Sequence, residues 1–223
     1  MRGFVFTLKP VRRKAQRNFI RGFSDVSSVL RRYGTVIYFT FIFALGTLAG
    51  SIYAGRAGES FLQKLDFLFT TNLEERLNQP IFSTFSASFA SDFIFLLFVF
   101  LCALAPWGAL VLFIAPAFKG FGTGLSAGYL FITYGFKGIG FYLLVILGGT
   151  FLFSFALIIQ CVQSHFLSCK IAKSVFKGAD SEYPLPFFLR NFLFRSLYSL
   201  VLTAAAAILD MLLWTAFSGM FFK

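Results

Sequence analysis

Apolar residues run almost unbroken through five stretches of the chain, and charged residues collect between them. The stretches are residues 36–55, 93–117, 121–136, 139–165 and 196–221. A helix needs about 20 predominantly apolar residues to cross the hydrocarbon core of a membrane. Only the third stretch is shorter, so it must extend through its flanks, lie in a thinned region of the bilayer or be buried by neighbouring helices. The pattern predicts an all-α fold, a polytopic transmembrane helix bundle with five spans.

The composition of the chain excludes an ordinary soluble domain. Hydrophobic residues make up 58% of its 223 residues and charged residues 13%, and the mean hydropathy is +0.79. Soluble domains carry about 25% charged residues. The first apolar stretch follows a basic and polar segment, residues 1–35, which is too long for the basic region of a secretory signal. We therefore expect this stretch to be retained as the first span.

The distribution of Lys and Arg predicts the orientation of the bundle, because basic loops stay in the cytoplasm. With the N-terminus inside, the cytoplasmic side holds fifteen basic residues: nine before Thr35, then Lys119, then five from Lys170 to Arg195. The outer side holds five, namely Arg56, Lys64, Arg76, Lys137 and Lys223. The N-terminus is predicted to be cytoplasmic and the C-terminus extracytoplasmic. Because this orientation explains the net charge of +11, no nucleic-acid partner is expected.

Three long segments lie outside the predicted spans. In residues 1–35 apolar side chains recur at steps of three and four, which is typical of an amphipathic helix on the lipids of the inner leaflet; a simple topology anchor is the alternative. Residues 56–92 form the largest outer loop, which either contacts an extracytoplasmic partner or caps the bundle. Residues 166–195 form an inner loop, in which Pro184 and Pro186 end the preceding helix.

Glycines recur every four residues in two of the predicted spans. They are Gly46 and Gly50 in the first, and Gly120, Gly124 and Gly128 in the third. Small residues at this spacing let helix backbones approach closely, which drives helix association in lipid. The repeats predict a tightly packed third span, through either an internal helix contact or a homodimer face.

Asp210 is the candidate functional residue inside the membrane, since it lies near the middle of the fifth predicted span. A carboxyl group at that depth costs about 2.5–3.5 kcal/mol, so it should face the interior of the bundle. It either couples proton or ion movement or is a structural group hydrogen-bonded to a neighbour. Pro106 predicts a bend in the second span, which is either a structural kink or, as in some transporters, part of a substrate site.

No convincing catalytic, cofactor or metal site is found in the sequence. Gly124 to Gly128 matches the G-x-S-x-G pattern of hydrolases around Ser126, and His165 is the only histidine. That pattern requires a strand, a sharp turn and a helix, whereas here the glycines belong to a packing repeat. The three cysteines have no metal-ligand spacing. We expect a protein that is not an enzyme and has no cofactor.

The stretch from Asp92 to Gly140 resembles the stage II sporulation protein M family of integral membrane proteins. An apolar stretch ending at Pro116 is followed by Lys119-Gly120-Phe121, Gly124, Gly128, Gly135 and Gly138. The order of spans from residue 36 to residue 222 also fits. The fourth span departs from the family, because it has Gly148-Gly149-Thr150 where members often carry a proline and a polar residue.

The resemblance implies a non-enzymatic scaffold in the bacterial cell membrane. Members of that family recruit peptidoglycan hydrolases, the stage II sporulation proteins D and P, during engulfment in spore formation. The chain would then lie in the septal or engulfing membrane of the mother cell and hold membrane-anchored hydrolases similar to those two. The alternative is a transporter or permease subunit that uses Asp210 and the kinked second span.

Overall fold

The computed structural model describes the backbone of residues 12–56, 81–177 and 185–221, and the side chains of residues 33–56, 82–176 and 188–217. Most of the predicted N-terminal segment, most of the outer loop and part of the inner loop therefore lie outside the described side chains. The chain divides into two compact units. The first, Met1–Ile37, contains the beginning of the first helix, and the second, Tyr38–Lys223, contains all the other helices.

The described residues form helices joined by short turns, and they contain no strand, which confirms the predicted all-α class. The helices are α1 Arg12–Ala54, α2 Ile81–Leu104, α3 Gly108–Val111, α4 Ile114–Phe141, α5 Leu147–Lys177 and α6 Leu185–Phe221. A π-helical segment, Tyr142–Ile146, joins α4 to α5. Residues 81–92 of the predicted outer loop are the first turns of α2.

Among the described residues, four stretches of helix are long and apolar enough to cross a membrane: Tyr33–Ala54, Phe82–Leu104, Gly108–Phe176 and Phe188–Phe217. The outer surface of the described bundle is apolar as well, because large side chains such as Phe136 and Phe151 are 88% and 72% exposed. Soluble proteins seldom expose large contiguous apolar patches. Length, composition and surface together support a multi-pass membrane protein.

The longest of these stretches, Gly108–Phe176, reverses direction at Gly135. Gly135 has φ 61° and ψ −137°, in the left-handed half of backbone space that glycine adopts without steric cost. The Tyr142 hydroxyl lies 3.3 Å from the carbonyl oxygen of Thr123, 19 residues earlier in the chain. A straight helix would separate the two positions by about 28 Å. The helical residues before and after Gly135 therefore pack side by side.

A second reversal lies between α2 and α4, and it corrects the predicted span at residues 93–117. Helix α2 ends at Leu104, and the side chains of Asp92 and Lys119 are 2.6 Å apart although 27 residues separate them. A continuous helix would hold them about 40 Å apart. Pro106 cannot continue the helix because it has no amide donor. Hydropathy does not reveal this turn, since its residues, including Trp107 and Leu110, are themselves apolar.

Helix α5 packs along α6, and both pack against α2. The largest buried cluster combines side chains from these three helices with one residue each from α1, the turn after α3, and α4. Its fully or nearly fully buried members are Phe39, Leu96, Val99, Leu112, Ala115, Phe153, Leu157, Cys161 and Ala206. Helix α4 lies beside this core, between α1 and α2, where the glycine repeats and the buried charges meet.

Candidate functional site

The five predicted packing glycines meet at a single contact between α1 and α4, which we call the glycine seam. A β-carbon added at Gly46, Gly50, Gly120 or Gly124 would meet a backbone carbonyl oxygen of the facing helix, and one at Gly128 would meet the side chain of Ala54. Only glycine leaves room for this approach, in which Cα–H groups point at carbonyl oxygens.

The glycine seam runs with both helices in the same direction. Gly46 faces Ala117, Gly50 faces Phe121, and Gly128 faces Ala54 near the end of α1. The hydroxyl of Ser51 also donates across the seam to the carbonyl oxygen of Gly124, at 3.2 Å. Because the two glycine faces cover each other, an internal helix contact accounts for both repeats.

A buried ion pair joins α2 to α4. The ammonium group of Lys119 lies 2.6 Å from a carboxylate oxygen of Asp92, and the two side chains are only 11% and 13% exposed. The ammonium also stands over the rings of Phe153 and Phe95, at 4.8 and 5.4 Å from their centres. Aromatic faces attract cations electrostatically, so the charge of Lys119 is held by a carboxylate and two rings.

This ion pair was missed by the sequence reasoning, which placed Asp92 in the outer loop and Lys119 on the cytoplasmic side. The two assignments cannot both be right, because two atoms 2.6 Å apart cannot lie on opposite sides of a membrane. A detectable signal was present in the sequence. Asp92 and Lys119, of opposite charge, flank an apolar stretch that contains Pro106, a residue that can end a helix.

Asp210 faces the interior of the bundle, one helical turn from that ion pair. Its carboxylate accepts a 2.7 Å hydrogen bond from the hydroxyl of Ser88 on α2. Ser88 and Asp92 are four residues apart on the same helix and therefore share a face. We call Ser88, Asp92, Lys119 and Asp210 the polar cluster. The backbone of Gly149 on α5 lies directly against Asp210, since a β-carbon at Gly149 would be 2.8 Å from that of Asp210.

A small cavity lies beside Lys119, lined by Thr123, Ser126, Tyr142 and Thr150 among others. Its volume is about 20 Å³, which is room for about one water molecule. The hydroxyls of Thr123, Ser126 and Thr150 already donate to carbonyl oxygens of their own helices, and that of Tyr142 to Thr123. The cavity can hold a bridging water but is too small for a solute.

The structure places Ser126 and His165 in different environments. Ser126 lies in the unbroken part of α4 before Gly135 and donates to Gly122, whereas His165 packs against Phe39 at 6.2 Å between ring centres. On α1, Phe39 and Thr47, which faces Gly124, are separated by about 12 Å along the axis. The two side chains are thus at different depths of the bundle, and residues 124–128 are helical, without the turn that the hydrolase pattern requires.

The remaining reactive side chains form no further centre within the described residues. Cys102, Cys161 and Cys169 are free thiols. No group of three or more His, Cys, Asp or Glu side chains is placed to hold a metal ion in the part of the chain that the structure describes. The polar cluster is therefore the main concentration of ionisable groups inside the described bundle.

Comparison of the chain with protein-family models, with curated proteins and with solved structures gives no match. The function of the chain therefore has to be inferred from its own residues. Those residues show an apolar outer surface, a glycine seam between two helices, and a polar cluster whose charges meet inside the bundle.

Proposed function

We propose that the chain is a non-enzymatic membrane scaffold that crosses the membrane five times. The observation that carries the proposal is that the polar cluster leaves no path for a solute. Lys119 pairs with Asp92, Asp210 accepts a hydrogen bond from Ser88, and the adjoining cavity has room for about one water molecule. A path for a solute needs a continuous polar cavity. A tightly packed interior beneath an extended apolar surface suits a protein that holds other membrane proteins instead.

Five crossings are favoured by the two chain reversals, near Pro106 and at Gly135. They divide the chain from α2 to the end of α5 into three successive antiparallel passes, and α6, which runs antiparallel to α5, is the fourth. With Lys119 placed inside the bundle, fourteen basic residues remain on the predicted cytoplasmic side, nine before Thr35 and five from Lys170 to Arg195. Against the five on the other side, this bias still favours a cytoplasmic N-terminus and an extracytoplasmic C-terminus.

The nature of the partners follows from the resemblance to the stage II sporulation protein M family. On that basis the chain recruits membrane-anchored peptidoglycan hydrolases similar to stage II sporulation proteins D and P. It does so in the cell membrane of a bacterium, in the septal or engulfing membrane where the organism forms spores. The part of the predicted outer loop that precedes α2, residues 56–80, and the lipid-facing sides of the helices would carry the contacts, and no residue of the chain would take part in catalysis.

Site-specific photo-crosslinking in native membranes tests the scaffold. A photoreactive phenylalanine analogue replaces Phe41 or Phe155, which are 61% and 54% exposed, and in the matched control it replaces Phe153, which is fully buried. We expect adducts with peptidoglycan hydrolases at one or both exposed positions and intramolecular adducts alone at Phe153. Adducts with an ATPase or a solute-binding protein, or with lipid only, would overturn the scaffold proposal.

A transporter or permease subunit is the second candidate, and a specific observation favours it. The π-helical segment Tyr142–Ile146 contributes Tyr142 and Ile146 to the wall of the cavity beside Lys119. Such π-helical turns often occur at functional sites, and ionisable groups within a membrane commonly belong to ion pathways. In this alternative, widening of the 20 Å³ cavity would connect Asp92, Lys119 and Asp210 to water.

A further inference from the structure

The turn between α2 and α4 exposes apolar side chains at one end of the bundle. Residues 104–118, which contain this turn, have no charged side chain and, apart from the indole of Trp107, no side chain that forms hydrogen bonds. Trp107 and Leu110 are 63% and 67% exposed, and Val111 is exposed as well. Turns that face water usually add Asn, Asp or Ser to their Gly and Pro residues. The composition of this turn therefore does not suit water.

The last turns of α5 extend the same surface. The ring of Trp107 packs edge-on against that of Phe176, with 5.6 Å between ring centres. Phe176 and its neighbour Val175 are both exposed. We call the exposed side chains of Trp107, Leu110, Val111, Val175 and Phe176 the apolar end. Exposed apolar patches of this kind mark contacts with membranes or with other proteins.

The backbone of the turn is bonded within the protein. The hydroxyl of Ser168 on α5, a fully buried residue, accepts a hydrogen bond from the amide of Ala109 and donates one to the carbonyl oxygen of Ala105, both at 2.8 Å. The amide of Gly108 also donates to Ala105, at 3.0 Å. Backbone groups of a turn in water can bond to water, whereas those of a turn in lipid need partners from the protein. The bonds to Ser168 thus favour lipid as the surroundings of the turn.

A basic residue lies at the depth of the apolar end. Lys173 is exposed, and it follows Ser168 by five residues, which is about 7 Å further along α5 towards Phe176. A lysine near the boundary of a membrane extends its ammonium group to the head groups, and anionic lipids attract it. Tryptophan is likewise enriched at the boundary between acyl chains and head groups. Both residue types are therefore suited to the interfacial layer of a membrane.

We propose that the apolar end lies in the interfacial layer of one membrane leaflet and is covered by phospholipid. The indole of Trp107 lies at the boundary between acyl chains and head groups, Leu110 contacts acyl chains, and the ammonium group of Lys173 contacts lipid phosphates. In the predicted orientation this leaflet is the inner one. The contact requires only that the chain is in a membrane, so it does not depend on the scaffold role.

This contact determines the depth of the polar cluster in the bilayer. Asp92 precedes the end of α2 at Leu104 by twelve residues, which is about 18 Å along the helix. Half the thickness of the hydrocarbon core is about 15 Å. With the turn at the edge of the core, the ion pair between Lys119 and Asp92 lies near the middle of the bilayer. A charge without a partner is most costly at that depth.

Fluorescence quenching of Trp107 in vesicles tests the contact. The chain has two tryptophans, so Trp214→Phe leaves Trp107 as the only one. This variant is reconstituted at high dilution in vesicles of phosphatidylcholine and phosphatidylglycerol, in which some acyl chains are brominated near the glycerol or near the terminal methyl group. We expect stronger quenching by the bromines near the glycerol. Acrylamide in the water should quench Trp107 about twofold less, or weaker still, than it quenches free tryptophan amide.

The matched control is Trp107→Phe, which leaves Trp214. Trp214 is buried and packs against Phe141 at 5.6 Å between ring centres. Lipid bromines should therefore quench Trp214 about twofold less, or weaker still, than they quench Trp107. The difference between the wild-type signal and that of Trp107→Phe also reports on Trp107 alone, so it gives an independent answer if Trp214→Phe fails to fold.

Two outcomes would overturn the proposal. Quenching by acrylamide as strong as that of free tryptophan amide, without an effect of the bromines, would place the turn in water. Protection from both quenchers would show that protein covers Trp107, for example a second copy of the chain.

A charge at the apolar end provides a second test. Leu110→Glu, made in the chain that has Trp107 alone, should draw the turn towards water and raise quenching by acrylamide about twofold, because a carboxylate is costly in lipid. Leu110→Ile is the control and should leave the quenching unchanged. Unchanged quenching in Leu110→Glu as well would contradict the contact between Leu110 and acyl chains.

Discussion

Helix α4 contacts α1 through glycine and α2 through charge. At the glycine seam, Gly124 lies against the carbonyl oxygen of Thr47, and the close fit depends on the absence of side chains. On the side of α2, the ammonium group of Lys119 lies 2.6 Å from the carboxylate of Asp92, and the contact depends on two charged side chains. Both contacts join α4 to a neighbouring helix, one through the absence of side chains and the other through two charged side chains.

The difference between the two contacts shows how helices associate in a solvent that provides no hydrophobic drive between them. A small-residue seam gains close van der Waals packing, and it weakens when any atom is added. A buried ion pair weakens when one partner is removed, because the other charge is left without compensation. Replacing both partners by apolar groups is often neutral. Added atoms should therefore weaken the glycine seam, whereas removal of one charged side chain should weaken the ion pair.

The largest effect is expected from removing one charge of the pair. Lys119→Met should destabilise the bundle by about 3–5 kcal/mol, because Asp92 is then buried without its cation. Unfolding by sodium dodecyl sulfate in mixed micelles, followed by tryptophan fluorescence of Trp107 and Trp214, measures the change. The control is the double variant Asp92→Leu with Lys119→Met, which should regain more than half of the loss. A double variant as unstable as the single one would show that the pair's charges were not the cause.

A smaller effect is expected from adding one methyl group to the glycine seam. Gly124→Ala should cost about 1–3 kcal/mol in the same unfolding measurement, because its β-carbon meets backbone atoms that cannot rotate away. Gly148→Ala is the matched control, since its β-carbon would meet only the side-chain ends of Leu213 and Leu209. We expect that control to cost less than about 1 kcal/mol. Equal costs at both positions would contradict the special role of the seam.

These two contacts also differ in how far the sequence predicts them. The glycine seam is visible as two four-residue repeats, because an i, i+4 spacing directly encodes one face of a helix. The all-α class and the multi-pass character follow from the length of the apolar stretches. The repeat does not indicate which helix packs against it, because that depends on the tertiary structure. The sequence is therefore compatible with an internal helix contact and with a homodimer face.

The ion pair could not be found from apolar periodicity alone. Its two residues are 27 positions apart, and the turn that brings them together is as apolar as the helices it joins. A hydropathy profile therefore merges the end of α2 with the start of α4, and it assigns Asp92 and Lys119 to opposite surfaces. Pro106 predicts a bend in the second span, whereas the helix ends before it at Leu104, because whether a proline bends or ends a helix depends on what packs around it.

The smallest effect is expected at Asp210, the remaining acid of the polar cluster. Asp210→Asn keeps an oxygen that can accept the hydrogen bond of Ser88 and adds no bulk against Gly149, so its cost should stay below about 1 kcal/mol. Ser88→Ala, the complementary change, removes the donor and should cost about 0.6 kcal/mol, the usual value for a hydrogen bond between membrane helices. Both are measured by unfolding in mixed micelles. If Asp210→Asn costs as much as Lys119→Met, the charge of Asp210 is as essential as that of Asp92. The polar cluster would then act as one charged network, rather than as an ion pair with a neighbouring hydrogen bond.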